Sequence, residues 1–326
     1  MIWDSIQAVI VIFVLISAGV LAAWRKWVTP EAAGALPKVL VNLAVPSMAV
    51  YHFYTGLSRG QVFEAWLPLL ALAVMYAVSY LLGRLFAVLL KIPIERRGVF
   101  TVLFSFSNSM FIGFPVAQAL FGSPGMPYAM YFFLVNTTFF WVLGYHAIRR
   151  DADVLRGGTT RIAVTDILKK LATPPIITIL VMFGVVMLQI PLPDFVLSAA
   201  GYMGSLTTPL SLIFMGCVIY EAGPGCLKME KNIWHVMAGR FVLIPAVCFF
   251  ICQLAIMLFP AGGAAADLVL MRNVLTVQAG LPVMTQTVIL SQLYGADVQF
   301  ATKSFIWTTL VSVVTIPAYM VLFRFV

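Results

Sequence analysis

The chain of 326 residues is 62% hydrophobic and 10% charged, and it carries a net charge of +8. Soluble domains have about 25% charged residues, so this composition excludes a soluble globular protein and indicates an integral membrane protein whose main partner is the lipid bilayer. The basic residues lie in short loops between apolar segments and form no continuous face. The positive charge therefore does not indicate binding of nucleic acid.

Ten apolar segments are long enough to cross a bilayer, which takes about 20 helical residues. The chain thus predicts an all-α integral membrane protein with ten transmembrane helices. The first apolar run has no basic stretch before it and no small-residue cleavage site after it, so we interpret it as a helix and not as a signal peptide. The predicted spans are residues 5–24, 35–56, 63–90, 98–121, 127–148, 171–190, 195–220, 233–259, 267–293 and 300–324.

Lys and Arg residues are unequally divided between the two sides of these spans. Of the 20, 17 fall on the side of the loops that follow odd-numbered spans. This bias predicts that those loops are cytoplasmic, that the protein crosses the inner (plasma) membrane, and that both termini lie outside. Arg84 and Arg240 are predicted near cytoplasmic helix ends, where they would act as interfacial anchors.

The predicted spans divide into two halves of five. Residues 1–150 form the first five-helix repeat, residues 151–170 a charged cytoplasmic linker, and residues 171–326 the second repeat. Because five is odd, the second half enters the membrane from the opposite side and the repeats are inverted. Prolines in spans 2 and 7 recur at an offset of 163 residues, close to the offset of 167 between spans 4 and 9.

Spans 4 and 9 each contain a Gly-x-Pro sequence, formed by Gly113 and Pro115 and by Gly280 and Pro282. Proline lacks a backbone donor and clashes with the preceding turn, so we predict that both helices break at these residues. Backbone groups freed in a bilayer are tolerated only where protein or a polar cavity satisfies them. Two half-helix N-termini, each with partial positive charge, would form an anion site.

Several segments resemble the auxin efflux carrier family of membrane transporters, and the resemblance covers nearly the whole chain. It implies two inverted five-helix repeats in which helices 4 and 9 break and cross, an architecture similar to that of bile acid:sodium symporters and sodium/proton antiporters. Plant members of the family export auxin, and bacterial members include carriers of malate and malonate. The matching segments are residues 42–46, 108–115, 118–122, 173–177, 277–282, 294–295 and 315–317.

The resemblance places the family's carboxylate-binding Asn on Asn108. The alternative interpretation is a side chain that merely caps the broken helix. Gln278 and Thr276 would add donors, or would instead satisfy neighbouring backbone. The predicted substrate-binding residues are Asn108, Ser109, Gly113, Pro115, Thr276, Gln278, Gly280 and Pro282.

Three further residues are weaker candidates for the site. Asn42 precedes a proline in span 2, where it is either structural or faces the site, and Asn273 lies early in span 9. Arg272 would draw anions toward the outer vestibule, or would be an interfacial side chain that pairs with Asp267 or reaches lipid headgroups.

The functional hypothesis is a secondary transporter that moves a small organic anion by alternating access. The alternative is a sodium-coupled organic anion symporter of the bile acid type, and a channel or receptor fits two symmetric breaks less well. All twelve acids lie in loops or near span ends. A carrier of Na⁺ or H⁺ needs such a group at mid-membrane, so that class is disfavoured, although coupling to either ion stays open. No cofactor, metal site or catalytic set is predicted, and homodimer formation is left open.

Overall fold

The structure is a computed structural model that describes residues 2–157, 171–223, 225, 228–259 and 265–322, and these are almost entirely helical. Before residue 157 the helices are α1 (Ile2–Trp24), α2 (Pro30–Val39), α3 (Val45–Gly56), α4 (Arg59–Glu64), α5 (Trp66–Leu89), α6 (Arg97–Ser105), α7 (Phe114–Phe139) and α8 (Tyr145–Arg156). After residue 171 they are α9 (Pro174–Met187), α10 (Asp194–Ser205), α11 (Thr207–Ala222), α12 (Lys231–Ala238), α13 (Ile244–Leu258), α14 (Ala265–Ala279), α15 (Thr285–Tyr294) and α16 (Val298–Leu322).

Four π-helical turns connect to the helices that follow them without a loop. They precede α3, α7, α8 and α13, and in three of these helices a proline occupies the first turn: Pro46, Pro115 and Pro245. A proline at this position supplies no amide to the preceding turn, which can widen without losing a hydrogen bond that the proline would have made. Proline therefore widens these helices here instead of ending them.

Five continuous helical stretches of the described residues are long and apolar enough to cross a membrane, and a sixth follows if the bent helix α16 is counted as one span. The ten spans are not all found by length and hydropathy. α6, α14 and α15 are each too short, and Ile10–Trp24 of α1 and Pro174–Met187 of α9 are shorter apolar helices. The five stretches are Pro30–Gly56, Val62–Leu89, Ser109–Arg156, Asp194–Glu221 and Lys231–Leu258.

The helices can be compared with two predicted boundaries. α8 continues to Arg156, so residues 151–156 of the predicted linker are helical, while residues 158–170 lie outside the described residues. Between predicted spans 4 and 5, α7 is interrupted at Gly122, where φ is +62° and ψ is −160°, so two helical segments meet there. Glycine tolerates this left-handed φ because it has no Cβ.

The helices pack in two groups. α1 lies along α11, and α3 packs against α9 and α10, whereas α5 packs against α6, α7 and α13, and α14 against α13 and α7. Contacts of α7 with α1 and α3 join the groups. Outward-facing apolar side chains such as Leu81, Phe250 and Val314 are 66%, 69% and 71% exposed, as expected where lipid replaces water.

Candidate functional site

The two interrupted helical segments of the chain meet just after the ends of α6 and α14. Residues 106–108 after α6 and residues 280–284 after α14 are not helical. The two stretches run antiparallel and form a bridge between Ser107 and Val283. We call this meeting of residues 106–108 and 280–284 the crossing.

Backbone hydrogen bonds hold the two stretches of the crossing together. Asn108 N donates to Pro282 O over 2.9 Å, and Met284 N donates to Phe106 O over 3.3 Å. These bonds satisfy groups that lost their helical partners, which is required of backbone buried in a membrane protein. The crossing is thus stabilised by pairing between the two halves of the chain.

The second break lies where the sequence predicts it. Gly280 and Pro282 are both in the non-helical stretch. A Cβ on Gly280 would lie 2.5 Å from ring atoms of Tyr319, so the close approach of this ring requires glycine. Pro282 needs no partner for an amide and offers its carbonyl to the opposite stretch.

The first break does not lie at Gly113 and Pro115, which corrects the prediction. The chain leaves the helix earlier, at residues 106–108, and then resumes with a π turn at Ser109–Gly113 that leads into α7. Pro115 follows the π turn directly, and the wider i→i+5 pattern there, with Phe114 N bonded to Ser109 O, accommodates a residue that has no amide to donate. Residues 106–108 contain neither Gly nor Pro, and they leave the helical conformation where they pair with the second stretch.

Asn136 of α7 fixes the first stretch through both ends of its amide. Its Nδ2 donates to Ser107 O and to Ser109 Oγ, each over 3.0 Å. Its Oδ1 accepts from Tyr76 OH over 2.6 Å and from Ser107 N over 3.3 Å. A fully buried amide with all these partners satisfied holds the unwound chain in one position.

Arg240, in the π turn between α12 and α13, is fully buried at the crossing. Its guanidinium donates to Phe104 O over 3.3 Å, to Ala279 O over 2.6 Å and to Leu281 O over 3.1 Å, and also to Ser107 Oγ. These carbonyls lie at the C-terminal ends of α6 and α14, so one side chain caps both half-helices.

The burial of Arg240 corrects its prediction as an interfacial anchor. No carboxylate of the described residues lies within ion-pair distance of it. The charge is compensated by the helix ends it caps, each of which carries roughly half a negative elementary charge. The sequence signal was present, since an arginine inside an apolar span usually faces the protein interior.

On the opposite side of the crossing lie the starts of the second half-helices. Asn108 Oδ1 accepts from Phe111 N over 3.2 Å, and Asn108 Nδ2 donates to Thr285 Oγ1 over 2.8 Å. The Phe111 ring lies 5.4 Å from the ring of Phe214 in α11, so this end faces the other helix group. Around it is a cavity of about 10 Å³, lined by Asn108, Ser109, Met110, Phe111, Phe133, Met284, Thr285 and Gln286.

A cavity of that volume holds about one water molecule. Asn108 and Ser109 are 2% and 1% exposed, so the side chains predicted to bind substrate are brought together but enclosed. The structure therefore has the crossing in a closed state.

Gln278 links the two predicted Gly-x-Pro segments. Its Nε2 donates to Gly113 O over 2.8 Å, while its Oε1 is buried without a hydrogen-bond partner among the described residues. A Cβ on Gly113 would collide with Gln278 Oε1. Gln278 thus satisfies neighbouring backbone with one atom and has one acceptor left over.

The remaining candidates lie away from the small cavity. Thr276 Oγ1 donates to Arg272 O in its own helix, and Arg272 donates to Asn273 Oδ1 and to Gln253 Oε1. Arg272 is 6% exposed, and its guanidinium lies 4.7 Å from the centre of the Phe249 ring. Asn42 is exposed and donates to the Lys38 carbonyl in its own helix.

A larger groove opens between the two helix groups. It has a volume of about 880 Å³, which is in the range of pockets that bind small organic ligands. α3 and α10 supply most of its wall, and Gln118 and Ser123 of α7 supply the facing side. The π turn Ser109–Gly113 lines the closed cavity and runs into α7, so one helical stretch connects this groove to that cavity.

The crossing contains no acidic side chain in the described part of the chain: the side chains around it are amides, hydroxyls, apolar groups and the guanidinium of Arg240. No group of three or more His, Cys, Asp or Glu side chains that could hold a metal ion occurs among the described residues.

Sequence reasoning missed three polar residues of the crossing: Asn136, Arg240 and Thr285. Each is a polar residue inside an apolar span, which marks a candidate for the bundle interior. Which of the many hydroxyls and amides reach the crossing depends on how distant helices pack, and no spacing in the sequence reports this.

Comparisons with known proteins relate the chain to membrane transporters. The sequence profile of the family described as "Membrane transport protein" matches residues 4–320. An uncharacterized transporter of Methanocaldococcus jannaschii is 27% identical over 329 residues, covering 96% of this chain and 97% of the relative. An uncharacterized transporter of Methanothermobacter thermautotrophicus is 22% identical over 330 residues, covering 97% and 98% of the two chains.

Proposed function

The chain belongs to the membrane transport protein family, the family of the auxin efflux carriers, and from this premise we propose that it is a secondary transporter that moves a small organic anion by alternating access. The expected cargo is a carboxylate such as malate, malonate or an auxin-like acid. Asn108 would contact the carboxylate, together with Ser109 and the amides that begin the second half-helices.

The observation that carries this proposal is the arrangement of charge at the crossing. Arg240 occupies the side where α6 and α14 end, and it compensates the negative ends of both helices. The other side presents two helix starts at Ser109 and Thr285, each with roughly half a positive charge, and no carboxylate. Together they favour an anion of about one negative charge over a cation.

Alternating access is supported by the contrast between the closed cavity and the open groove. A carboxylate cannot enter a space of about 10 Å³, whereas the groove of about 880 Å³ can admit one. In the proposed cycle, the two helix groups move apart at Phe111 and Phe214, and the groove then extends to Asn108. The anion replaces contacts that close the empty site.

The proposal includes the number of spans and their orientation in the membrane. We expect ten spans in two inverted five-helix repeats, residues 1–150 and 171–326, with both termini outside the cytoplasm of the inner membrane. Labelling of an Arg156→Cys variant tests the orientation, in a background with Cys226→Ser because the other cysteines are buried. Reaction only from the cytoplasmic side supports it, and reaction from outside overturns it.

The function itself is tested in two stages. A thermal-shift screen of mono- and dicarboxylates against the purified protein identifies an anion that stabilises it. Counterflow of the same labelled anion into proteoliposomes then measures exchange. Exchange that needs protein and substrate on both sides supports a carrier, and exchange that collapses when Na⁺ is replaced identifies the sodium-coupled symporter instead. Stabilisation by no carboxylate, or flux without counterflow, contradicts the proposal.

A further inference from the structure

A second polar cavity lies apart from the crossing, between the C-terminal half of α5, the start of α6, and α8. Its volume is about 220 Å³, and three arginines line it: Arg84, Arg97 and Arg150. These helix ends belong to the side where most Lys and Arg occur in the sequence. The transport mechanism proposed above gives this cavity no role.

The carboxylate that lines this cavity, Asp151, is already engaged. Its Oδ1 accepts from Gly98 N over 2.9 Å and its Oδ2 accepts from Val99 N over 2.7 Å, so it caps the start of α6. Gly98 allows this because a Cβ there would collide with Ala147 O of α8. Asp151 is 2% exposed, and its charge is directed at backbone amides.

The three arginines keep donors available for another anion. None of them lies within ion-pair distance of a carboxylate in the part of the chain that the structure describes. Arg97 Nε donates to Ile92 O over 2.8 Å, which fixes the side chain and leaves both terminal nitrogens. Guanidinium forks are suited to pairs of phosphate or carboxylate oxygens.

One wall of the cavity continues into the lipid-facing surface of α5. Arg84 shares a helix face with Leu81 and Val88, which are 66% and 56% exposed. An anion held here would have apolar protein surface directly beside it. A free phosphate makes no use of such a surface, whereas the acyl chains of a lipid do.

We propose that this cavity binds the phosphate of an anionic phospholipid, with Arg84, Arg97 and Arg150 around the headgroup and the acyl chains along the Leu81 and Val88 face of α5. Basic pockets between membrane helices recognise anionic headgroups by the same chemistry. The bound lipid holds the starts of α6 and α8 together next to the Asp151 cap.

The test measures thermal unfolding of the full chain in detergent micelles with added dioleoyl phosphatidylglycerol, dioleoyl phosphatidylcholine, or inorganic phosphate at equal concentration. We expect phosphatidylglycerol to raise the unfolding temperature by about 3 °C more than phosphatidylcholine does. Arg84→Gln with Arg150→Gln abolishes this difference, and Arg84→Lys with Arg150→Lys retains part of it. Arg25→Gln, which changes an exposed arginine outside the cavity, is the matched control.

Each other result overturns the proposal. Equal stabilisation of all variants places the lipid elsewhere, and equal stabilisation by both lipids removes the role of charge. An equal shift with inorganic phosphate makes the ligand a free anion and not a lipid. Size-exclusion profiles show whether the glutamine variant is folded. If the glutamine variant is not folded, the lysine variant and Arg25→Gln are compared instead. The proposal then requires that the difference between the stabilisation by phosphatidylglycerol and by phosphatidylcholine is smaller in the lysine variant than in Arg25→Gln.

Discussion

The Asn108 side-chain amide donates to the Thr285 hydroxyl over 2.8 Å, and this bond joins the two second half-helices across the crossing. The same amide is the donor that we propose for the substrate carboxylate. In the closed state Thr285 therefore occupies the position that an anion oxygen would take.

We expect Thr285→Val to raise the apparent affinity for the transported carboxylate, because the anion no longer competes with a hydroxyl for the Asn108 amide. A neutral hydrogen bond contributes about 1 kcal/mol, which corresponds to roughly fivefold in affinity. Binding is measured calorimetrically in detergent. Thr302→Val, which removes a hydroxyl bonded only to its own helix, is the control. Lower affinity in Thr285→Val would show instead that this hydroxyl binds the anion.

Arg240→Met should destabilise the protein strongly. The substitution leaves the carbonyls of Phe104, Ala279 and Leu281 without their donor, at about 1 kcal/mol or more for each. We expect a loss of about 3 kcal/mol, measured as a lower unfolding temperature. The unfolding temperature of Arg240→Lys should lie between those of Arg240→Met and the unaltered protein, because lysine keeps the charge and lacks the planar fork. An unfolding temperature equal to that of the unaltered protein would mean that the capping bonds contribute nothing.

Gly280→Ala tests the close packing at the second break. The new methyl group would lie 2.5 Å from the Tyr319 ring, whose hydroxyl is held by a bond of 2.6 Å to Phe241 O. Overpacking of this kind costs about 1–3 kcal/mol. Gly184→Ala is the matched control, because no atom lies within 4 Å of its new Cβ, and alanine should stabilise α9 by up to about 1 kcal/mol. Stabilisation by both substitutions would refute the packing argument.

Acid should weaken a set of ion pairs at the loop before α12. Glu230 accepts from Lys303 Nζ over 2.7 Å and from Arg96 Nη1 over 3.2 Å, and the hydrogen bond from Lys303 is the main reason that the pKa of Glu230 lies below its ordinary value of 4.5. The unfolded state then binds more protons between the two pKa values. This contribution to stability is present above pH 4.5 and is lost as the pH falls through the lowered pKa.

The expected observation is a fall in unfolding temperature below about pH 4.5 that is smaller in Glu230→Gln than in the unaltered protein. Glu95→Gln removes a carboxylate that makes no ion pair with a described residue, and it should retain the full pH dependence. Identical pH profiles for all three proteins would contradict the assigned role of Glu230.

Much of the crossing follows from local chemistry, and some of it does not. Gly280 and Pro282 predict the second break, because neither residue is favourable in a helix interior. The first break could not be placed from Gly113 and Pro115, because the π turn before α7 accommodates this proline within a continuous helical stretch. Residues 106–108 unwind through pairing with the distant second stretch.

Arg240 shows the second limit of sequence reasoning. Its position near the start of a span predicts an anchor, and only the packing of α12 and α13 against the crossing shows that it caps two other helices. Asn108 is the contrary case: the resemblance to a carrier motif placed it at the crossing, and the structure brings it there. The proposed function depends on the binding of the anion by Asn108.

The affinity of Asn108→Ala for the carboxylate that stabilises the unaltered protein tests this claim most directly. Asn42→Ala is the control, since Asn42 is exposed and bonds only its own helix. A hydrogen bond to a charged group contributes about 1.5–3 kcal/mol, so we expect affinity to fall at least about tenfold in Asn108→Ala and to stay unchanged in Asn42→Ala. Unchanged affinity in folded Asn108→Ala protein would contradict the claim.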